Sequence, residues 1–179
     1  AGAVAVDLKP VDVNALLEDI RRQAALNPDA RGVRREVTPQ AEKLVVRADS
    51  DIVELGDLAG RTVSLGAENS GVNVIAARAL DAADVDIASI ADPQLDLSES
   101  ISALERSGID GFFWVGGIPT PGIAESATTT PVRLVPVEQT WVAAINARYS
   151  DAYRPSDFPV GLYGLEESAP TMAVPNYLV

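Results

Sequence analysis

Twice along the chain, a short apolar segment is followed by a loop of small residues and then by a segment with helical features. This repeat constrains the fold more than any other feature. The first apolar segment covers residues 62–65 and the second residues 111–115. A strand, a tight loop and a helix in this order make half of a βαβ unit. The second segment, GFFWV, is apolar throughout, which is typical of a strand buried on both faces of a parallel sheet. We therefore predict an α/β fold with a mostly parallel sheet.

Neighbouring segments predict the elements around these two units. Residues 44–46 and 132–135 are apolar and of strand length. The helix after residue 71 is predicted to have one apolar face, formed by Val72, Ile75, Ala76, Ala79, Leu80 and Ala83. A second helix is predicted with Ser98 as its N-cap and Gly108 at the position after its C-cap. A third helix is predicted over residues 138–149.

The two ends of the chain carry weaker patterns. Near the amino terminus, residues 4–6 favour a short strand and residues 13–24 a helix, and residues 1–41 contain no motif. After residue 149, four prolines and two glycines indicate an extended segment that crosses the molecule rather than another compact unit.

The composition excludes several classes of function. The net charge is −12, and no cluster of Lys and Arg is available to bind a phosphate backbone, so nucleic acid is not expected as a partner. The chain has no cysteine and no histidine, which excludes a thiol nucleophile, a Ser-His-Asp triad and an imidazole-bound zinc ion. The apolar runs are strand-length, too short to span a membrane. We expect neither an enzyme nor a bound cofactor or metal.

The loop of residues 66–71 is the first candidate ligand site, with Gly66, Ala67, Asn69, Ser70 and Gly71 as its contacts. It follows a predicted strand, and open α/β sheets bind ligands beyond the carboxyl ends of their strands. Small residues let the backbone approach a ligand, and the amides of the following helix favour an anion. The alternative is an ordinary turn in which Asn69 or Ser70 serves as N-cap.

The segment that ends the second strand is the other candidate site, with Trp114, Val115, Gly116, Pro119 and Thr120 as its contacts. Two adjacent glycines after an aromatic strand indicate a sharp bend or a close contact. Thr120 is also a plausible helix N-cap. The alternative is a tight turn with a tryptophan packed in the core. Alternation along the strand places Phe113 on the opposite face from Trp114.

Acidic residues were considered as acid–base pairs. Asp92, Asp96 and Glu99, like Asp84 and Asp86, fall in predicted loops or at helix ends. A solvated face explains them better than catalysis does.

Four sequence blocks, in the same order, resemble the TAXI-type solute receptors of TRAP transporters. They are DLAGRTVSLGAENSG at residues 57–71, IDGFFWVGGIPTP at 109–121, VGLYG at 160–164 and PTMAVP at 170–175. The family patterns that they resemble are DLxGKxVxxGxxxSG, IDAFFxxxGxPTP, PAGTYPG and PTVAVP. The third block adds Tyr163 to the candidate contacts. Residues 1–41 carry no such block.

The resemblance implies a two-lobed fold like that of periplasmic binding proteins. In that interpretation, residues 1–59 are part of a first lobe and hinge, residues 60–136 a complete second α/β lobe, and residues 137–179 the return segment. It also implies an extracytoplasmic receptor, its signal segment lying outside this chain. The receptor captures a small carboxylate, a glutamate-like amino acid or a dicarboxylate, and delivers it to a TRAP permease in the membrane.

Two alternatives stay open from the sequence alone. The same module can serve as the sensory input domain of a signalling protein, and an enzyme can be built on a related α/β scaffold.

Overall fold

The computed structural model describes residues 40–149 and 152–174, which belong to one compact unit. The strands are β1 (Gln40–Arg47), β2 (Val63–Ser64), β3 (Gly111–Gly116), β4 (Val132–Val135), β5 (Arg154–Phe158) and β6 (Ala169–Val174). The helices are α1 (Gly71–Ala82), α2 (Leu97–Glu105), α3 (Pro121–Ser126) and α4 (Gln139–Arg148). Short 3₁₀ turns lie at Leu55–Leu58, Ile87–Ser89 and Leu162–Gly164.

All six of these strands form one mixed sheet in the order β2-β3-β1-β6-β5, and β4 also pairs with β1. One edge of β1 pairs with β3. Its other edge is shared, because β6 pairs with its first residues and β4 with its last. β1 is therefore the central strand of the sheet.

The α/β class is confirmed, but the expectation of a mostly parallel sheet is wrong. Among the six described strands only the β2–β3 pairing is parallel, whereas β1 is antiparallel to β3, β4 and β6, and β5 is antiparallel to β6. The predicted strands β2, β3 and β4 do run in one direction, since β3 and β4 are both antiparallel to β1. The sheet is not mostly parallel because β1 lies between β3 and β4 and runs in the opposite direction to both.

Each face of the sheet has its own apolar core. Even-numbered residues of β1, Leu44 and Val46, join a cluster with buried side chains of α1 and α4. Odd-numbered Val45 joins a second cluster with α2, α3 and the segment after residue 154. The predicted alternation along β3 is confirmed, because Phe113 packs in the first cluster and Trp114 against the second. The core of the described residues is thus divided by the sheet itself.

The ends of α2 differ from the prediction. Asp96, not Ser98, is the N-cap: its side chain accepts from the amide of Glu99 at 2.9 Å, and the Glu99 carboxylate accepts from the Asp96 amide in return. After the helix, Ser107 rather than Gly108 adopts the left-handed conformation, with φ of 55°. The Gly108 amide then donates to the carbonyl of Ala103 at 2.8 Å, which closes a Schellman motif.

The proposed domain boundaries at residues 59 and 136 stay a prediction. Within the described part, one sheet takes strands from all three proposed segments. The strand expected at residues 4–6 and the helix expected at 13–24 lie outside the described residues. Among the helices that are described, none combines the length and the apolar character needed to cross a membrane.

Candidate functional site

A cleft of about 480 Å³ lies beyond the carboxyl ends of β2 and β3. One wall is the loop before α1, with Gly66, Ala67 and Ser70. A second wall is the start of α2. The third combines Phe113 and Trp114 of β3 with Gly122 of α3. The two predicted loops therefore meet at this cleft, but only some of the expected residues line it.

Local geometry explains the glycine at position 66. Gly66 has a φ of 97°, and a Cβ added there would approach the Cβ of Val72 to 2.9 Å. The turn continues through Asn69, which is exposed and has a φ of 61°. Ser70 then caps α1, because its hydroxyl accepts from the amide of Asn73 at 3.1 Å. The N-cap interpretation of Ser70 is confirmed, and Ser70 also lines the cleft.

Gly71, the first residue of α1, is exposed but is not among the residues that line the cleft. A Cβ built on it has no atom within 4 Å. Its amide and that of Val72 belong to the first turn, where a helix supplies no acceptors of its own. These two N–H groups lie beside Ser70, on the rim of the cleft.

The start of α2 forms an apolar wall that was not predicted from the sequence. Leu95, Leu97 and Ile101 line the cleft, and Ser98 and Ser100 add hydroxyl groups. Asp96 is exposed, as expected, but it also lines the cleft. The helical spacing of these residues is the available signal, but it predicts a helix without showing what its apolar side chains face.

Trp114 lies across the backbone of the residue two positions further along its strand. A Cβ on Gly116 would come within 2.6 Å of the indole Nε1, so only glycine fits beneath the ring. The indole nitrogen is buried and has no hydrogen-bond partner among the described residues. Gly116 itself is buried and does not line the cleft.

The rest of the second loop is held behind the cleft wall. Thr120 occupies the N-cap position of α3 without a capping bond from its side chain. Its hydroxyl donates instead to the carbonyl of Gly117 at 2.9 Å, and its amide donates to the phenol oxygen of Tyr163 at 2.7 Å. Pro119, after a cis peptide bond, is exposed. Val115 packs against the core on the other face. None of these four expected contacts (Val115, Pro119, Thr120 and Tyr163) is among the residues that line the cleft.

Sequence reasoning also missed two ionisable side chains at the amino end of β1. This end lies at the same edge of the sheet as the carboxyl ends of β2 and β3, because β1 runs the other way. Lys43 is 1% exposed and lies opposite Trp114. Its ammonium donates to the carbonyls of Ala41 at 3.1 Å and Gly116 at 3.4 Å. Burial lowers the pKa of Lys43 to about 8.

Glu42, the neighbour of Lys43, points to the opposite face and is 0% exposed. Neither carboxylate oxygen has a hydrogen-bond partner among the described residues. Burial raises the pKa of Glu42 from 4.5 to about 8, since the charged form is poorly solvated there. Its backbone carbonyl accepts a hydrogen bond from the hydroxyl of Thr171.

Two of the acidic residues that were candidates for acid–base pairs, Asp92 and Asp86, accept hydrogen bonds from the backbone instead. Asp92 accepts from the amide of Leu65 at 3.0 Å, and Asp86 accepts from the amide of Ala88 at 3.0 Å. Within residues 40–149 and 152–174, no group of three or more Asp or Glu side chains is placed to hold a metal ion. The groups that face the cleft are thus apolar side chains, hydroxyl groups, the Asp96 carboxylate and the first amides of α1.

The sequence model of the NMT1-like family matches residues 29–179 of this chain. Solved structures of several binding proteins are also similar. One is the periplasmic aliphatic sulphonate binding protein SsuA from Escherichia coli, with 22% identity and a TM-score of 0.45 over 53% of this chain. Another is a putative sulphonate-binding SsuA protein from Methylobacillus flagellatus, with 16% identity and a TM-score of 0.47 over 55% of this chain.

The L-cystine solute receptor of Neisseria gonorrhoeae is similar over a larger share of the chain, 70%, with 15% identity and a TM-score of 0.41. The aligned regions cover 29% of each sulphonate-binding protein and 59% of the cystine receptor. The chain therefore spans less than two thirds of each of these proteins.

Proposed function

This chain belongs to the NMT1-like family, and from that premise we propose that it is part of an extracytoplasmic solute-binding receptor. The receptor holds a small carboxylate in a cleft between two lobes, as periplasmic binding proteins do. It hands this ligand to a TRAP-type permease. The sequence blocks that resemble TAXI-type receptors support the permease class, and the cleft supports the ligand class.

The observation that carries the proposal is the position of the cleft beside the amino terminus of α1. Ser70 and Val72 line the cleft there, whereas the amino terminus of α2 already carries two carboxylates, Asp96 and Glu99. A helix amino terminus attracts an anion by about 0.3–1 kcal/mol when exposed and by up to about 2 kcal/mol when partly buried. Each charge-assisted hydrogen bond to a carboxylate adds about 1.5–3 kcal/mol.

The apolar walls suit the carbon skeleton of such a ligand. Leu97, Ile101 and Phe113 offer apolar surface on two sides, and burial contributes about 25 cal/mol per Å² of apolar area. A micromolar dissociation constant needs about 8 kcal/mol in total. A few hydrogen bonds to the carboxylate, the helix field and partial burial of the skeleton together reach that value.

Calorimetric titration with matched ligands tests the proposal. Succinate is compared with succinamide, in which amides replace both carboxylates, and L-glutamate with L-glutamine, which loses only its side-chain carboxylate. We expect succinate to bind at least about ten-fold more tightly than succinamide, because only succinate gains charge-assisted hydrogen bonds, and L-glutamate to bind more tightly than L-glutamine where its side-chain carboxylate is the group that is held. Equal affinity for acid and amide, or no heat with any of the acids, contradicts the carboxylate assignment.

A further inference from the structure

The loop of residues 116–120 connects the two parts of the third wall of the cleft, which come from β3 and α3. Before it, Trp114 lines the cleft from β3, and after it Gly122 lines the cleft from α3. Gly122 is close-packed, because a Cβ added there would be 3.1 Å from the Cδ1 of Ile101 on α2. Any shift of this loop would therefore change the distance between the third wall and the wall formed by α2.

The first residue of the loop is held by Lys43. Its ammonium donates to the Gly116 carbonyl at 3.4 Å and to the Ala41 carbonyl at 3.1 Å, which ties the end of β3 to β1. Burying an ammonium without a carboxylate partner is costly, and no ion pair of Lys43 occurs in the part of the chain that the structure describes. The two carbonyl oxygens and the aromatic ring of Phe158 stabilise this charge.

The last residue of the loop is held by Tyr163, which is 7% exposed. Its phenol oxygen accepts from the Thr120 amide at 2.7 Å. Tyr163 has a φ of 56° and a ψ of 20°, which is a strained conformation for a bulky residue. The turn of residues 161–164 accepts this strain and places the phenol against the loop.

Phe158 lies between Lys43 and Tyr163 and contacts both. Its ring centroid lies 5.8 Å from the ammonium of Lys43 and 5.3 Å from the ring centroid of Tyr163, and the residue is 0% exposed. A cation over an aromatic face and a pair of tilted rings are both attractive. A continuous series of contacts thus runs from Lys43 on β1 through Phe158 to Tyr163 in the turn before β6.

We propose that Lys43, Phe158 and Tyr163 are positioning residues, a brace that fixes the loop of residues 116–120 and thereby sets the width and the ligand specificity of the cleft. This inference rests on the proposed function for its effect on ligands. It gives Tyr163 a role behind the cleft wall instead of the direct ligand contact that the sequence suggested.

The test compares two hydroxyl deletions in a Trp141→Phe background, where Trp114 is the remaining tryptophan. Tyr163→Phe removes the acceptor for Thr120 and keeps the ring. Tyr153→Phe is the matched control: Tyr153 is 4% exposed and its phenol oxygen accepts from Arg78 at 2.6 Å. In the absence of ligand, we expect Tyr163→Phe to raise acrylamide quenching of Trp114 at least about two-fold, because local opening exposes the ring. Tyr153→Phe should leave it unchanged.

The same proteins are then titrated with succinate and L-glutamate. We expect Tyr163→Phe to weaken the better ligand by about five- to ten-fold, the effect of one lost hydrogen bond. Lys43→Met should weaken the binding of that ligand to a similar extent, whereas Lys43→Arg should keep most of the affinity. Tyr153→Phe should leave the affinity unchanged.

The two measurements separate the brace from the proposed function. Higher quenching in Tyr163→Phe, without carboxylate binding by the unmodified protein, supports the brace and overturns the proposed function. Carboxylate binding that Tyr163→Phe leaves unchanged, together with unchanged quenching, overturns the brace.

Discussion

At the scale of single residues, Glu42 and Lys43 show how one strand can bury an acidic and a basic side chain without pairing them. Adjacent residues of a strand point to opposite faces of the sheet, so the carboxylate and the ammonium lie in different cores. Lys43 has two carbonyl acceptors, whereas both oxygens of Glu42 have no partner among the described residues. A buried carboxyl group in such a place retains its proton to a higher pH than usual.

Glu42 should make the stability of the protein fall as the pH rises from about 5 to 7.5. The folded state keeps the proton up to a pKa of about 8, whereas the unfolded chain releases it near 4.5. The unfolded state therefore binds fewer protons in this window, and the free energy of unfolding should decrease by about 3 kcal/mol. Urea denaturation at several pH values measures this slope.

The Glu42→Gln variant should lose most of that slope and be more stable than the unmodified protein at pH 7.5. Glu167→Gln, which neutralises an exposed carboxylate, is the control and should keep the slope. Lys43, whose pKa is lowered to about 8, keeps most of its protonation across this window. A slope that persists in Glu42→Gln contradicts the assignment.

Trp114 should report directly on ligand binding. It lines the cleft, whereas Trp141 packs against the core on the other face of the sheet. In a Trp141→Phe variant, the carboxylate that binds in calorimetry should still change the tryptophan emission, because the indole changes its surroundings. In a Trp114→Phe variant the change should be lost. A ligand-induced change that survives in Trp114→Phe places the ligand elsewhere.

At the scale of elements, the first turn of α1 is the part of the candidate site most open to substitution. Gly71→Val should fold normally, because a Cβ at this position meets no atom within 4 Å. Its branched side chain should, however, keep a carboxylate away from the amides of Gly71 and Val72. We expect affinity to fall by about ten-fold or more, the equivalent of at least one charge-assisted hydrogen bond.

Ala143→Val is the matched control for Gly71→Val, since Ala143 is exposed on α4 and the substitution adds similar bulk. Asp96→Ala cannot serve as a control, because Asp96 both caps α2 and lines the cleft. Thermal unfolding establishes that both variants are folded, and calorimetry with succinate and L-glutamate compares their affinities. Equal affinities would show that the ligand does not approach the start of α1.

The elements that could be predicted are those that local patterns determine. The apolar face of α1 follows from its 3.6-residue spacing, and the alternation of Phe113 and Trp114 follows from the two-residue period of a strand. The position of β1 could not be predicted, because its pairing with β3 and β4 joins residues more than 60 positions apart. Lys43 was missed for the same reason: its neighbour Trp114 is adjacent only through that pairing.

The ends of elements were predicted less well than the elements themselves. Ser98 and Asp96 are both good N-cap residues, and only the reciprocal bond with Glu99 decides between them. Gly108 is a good residue for the position after a C-cap, yet Ser107 adopts the left-handed conformation there. The cleft walls on α2 were missed because leucines and isoleucines at helical spacing look the same whether they face a core or a ligand.

At the scale of the whole molecule, β1 couples two apolar cores that have no common side chains. Leu44 and Val46 belong to one core and Val45 to the other, so neither core can open without disturbing the backbone of the strand between them. Because β1 also pairs along both edges, its loss would separate β3 from β4 and β6. The two faces should therefore unfold together, as expected for a small cooperative domain.

A cavity on one face should accordingly destabilise the other face by the same amount. Leu104 is 2% exposed in the core that contains Val45, and Leu104→Ala should reduce the free energy of unfolding by about 2–5 kcal/mol.

In a Trp114→Phe background the remaining tryptophan, Trp141, packs against the opposite core. If the cores are coupled, Leu104→Ala shifts the urea transition followed by Trp141 as far as the transition followed by far-UV circular dichroism. Ala147→Ser is the control, because Ala147 is exposed, and it should leave both transitions at their original midpoints. A Trp141 transition that stays at its original midpoint, while the circular dichroism transition splits, means that the faces unfold independently and that β1 does not couple them.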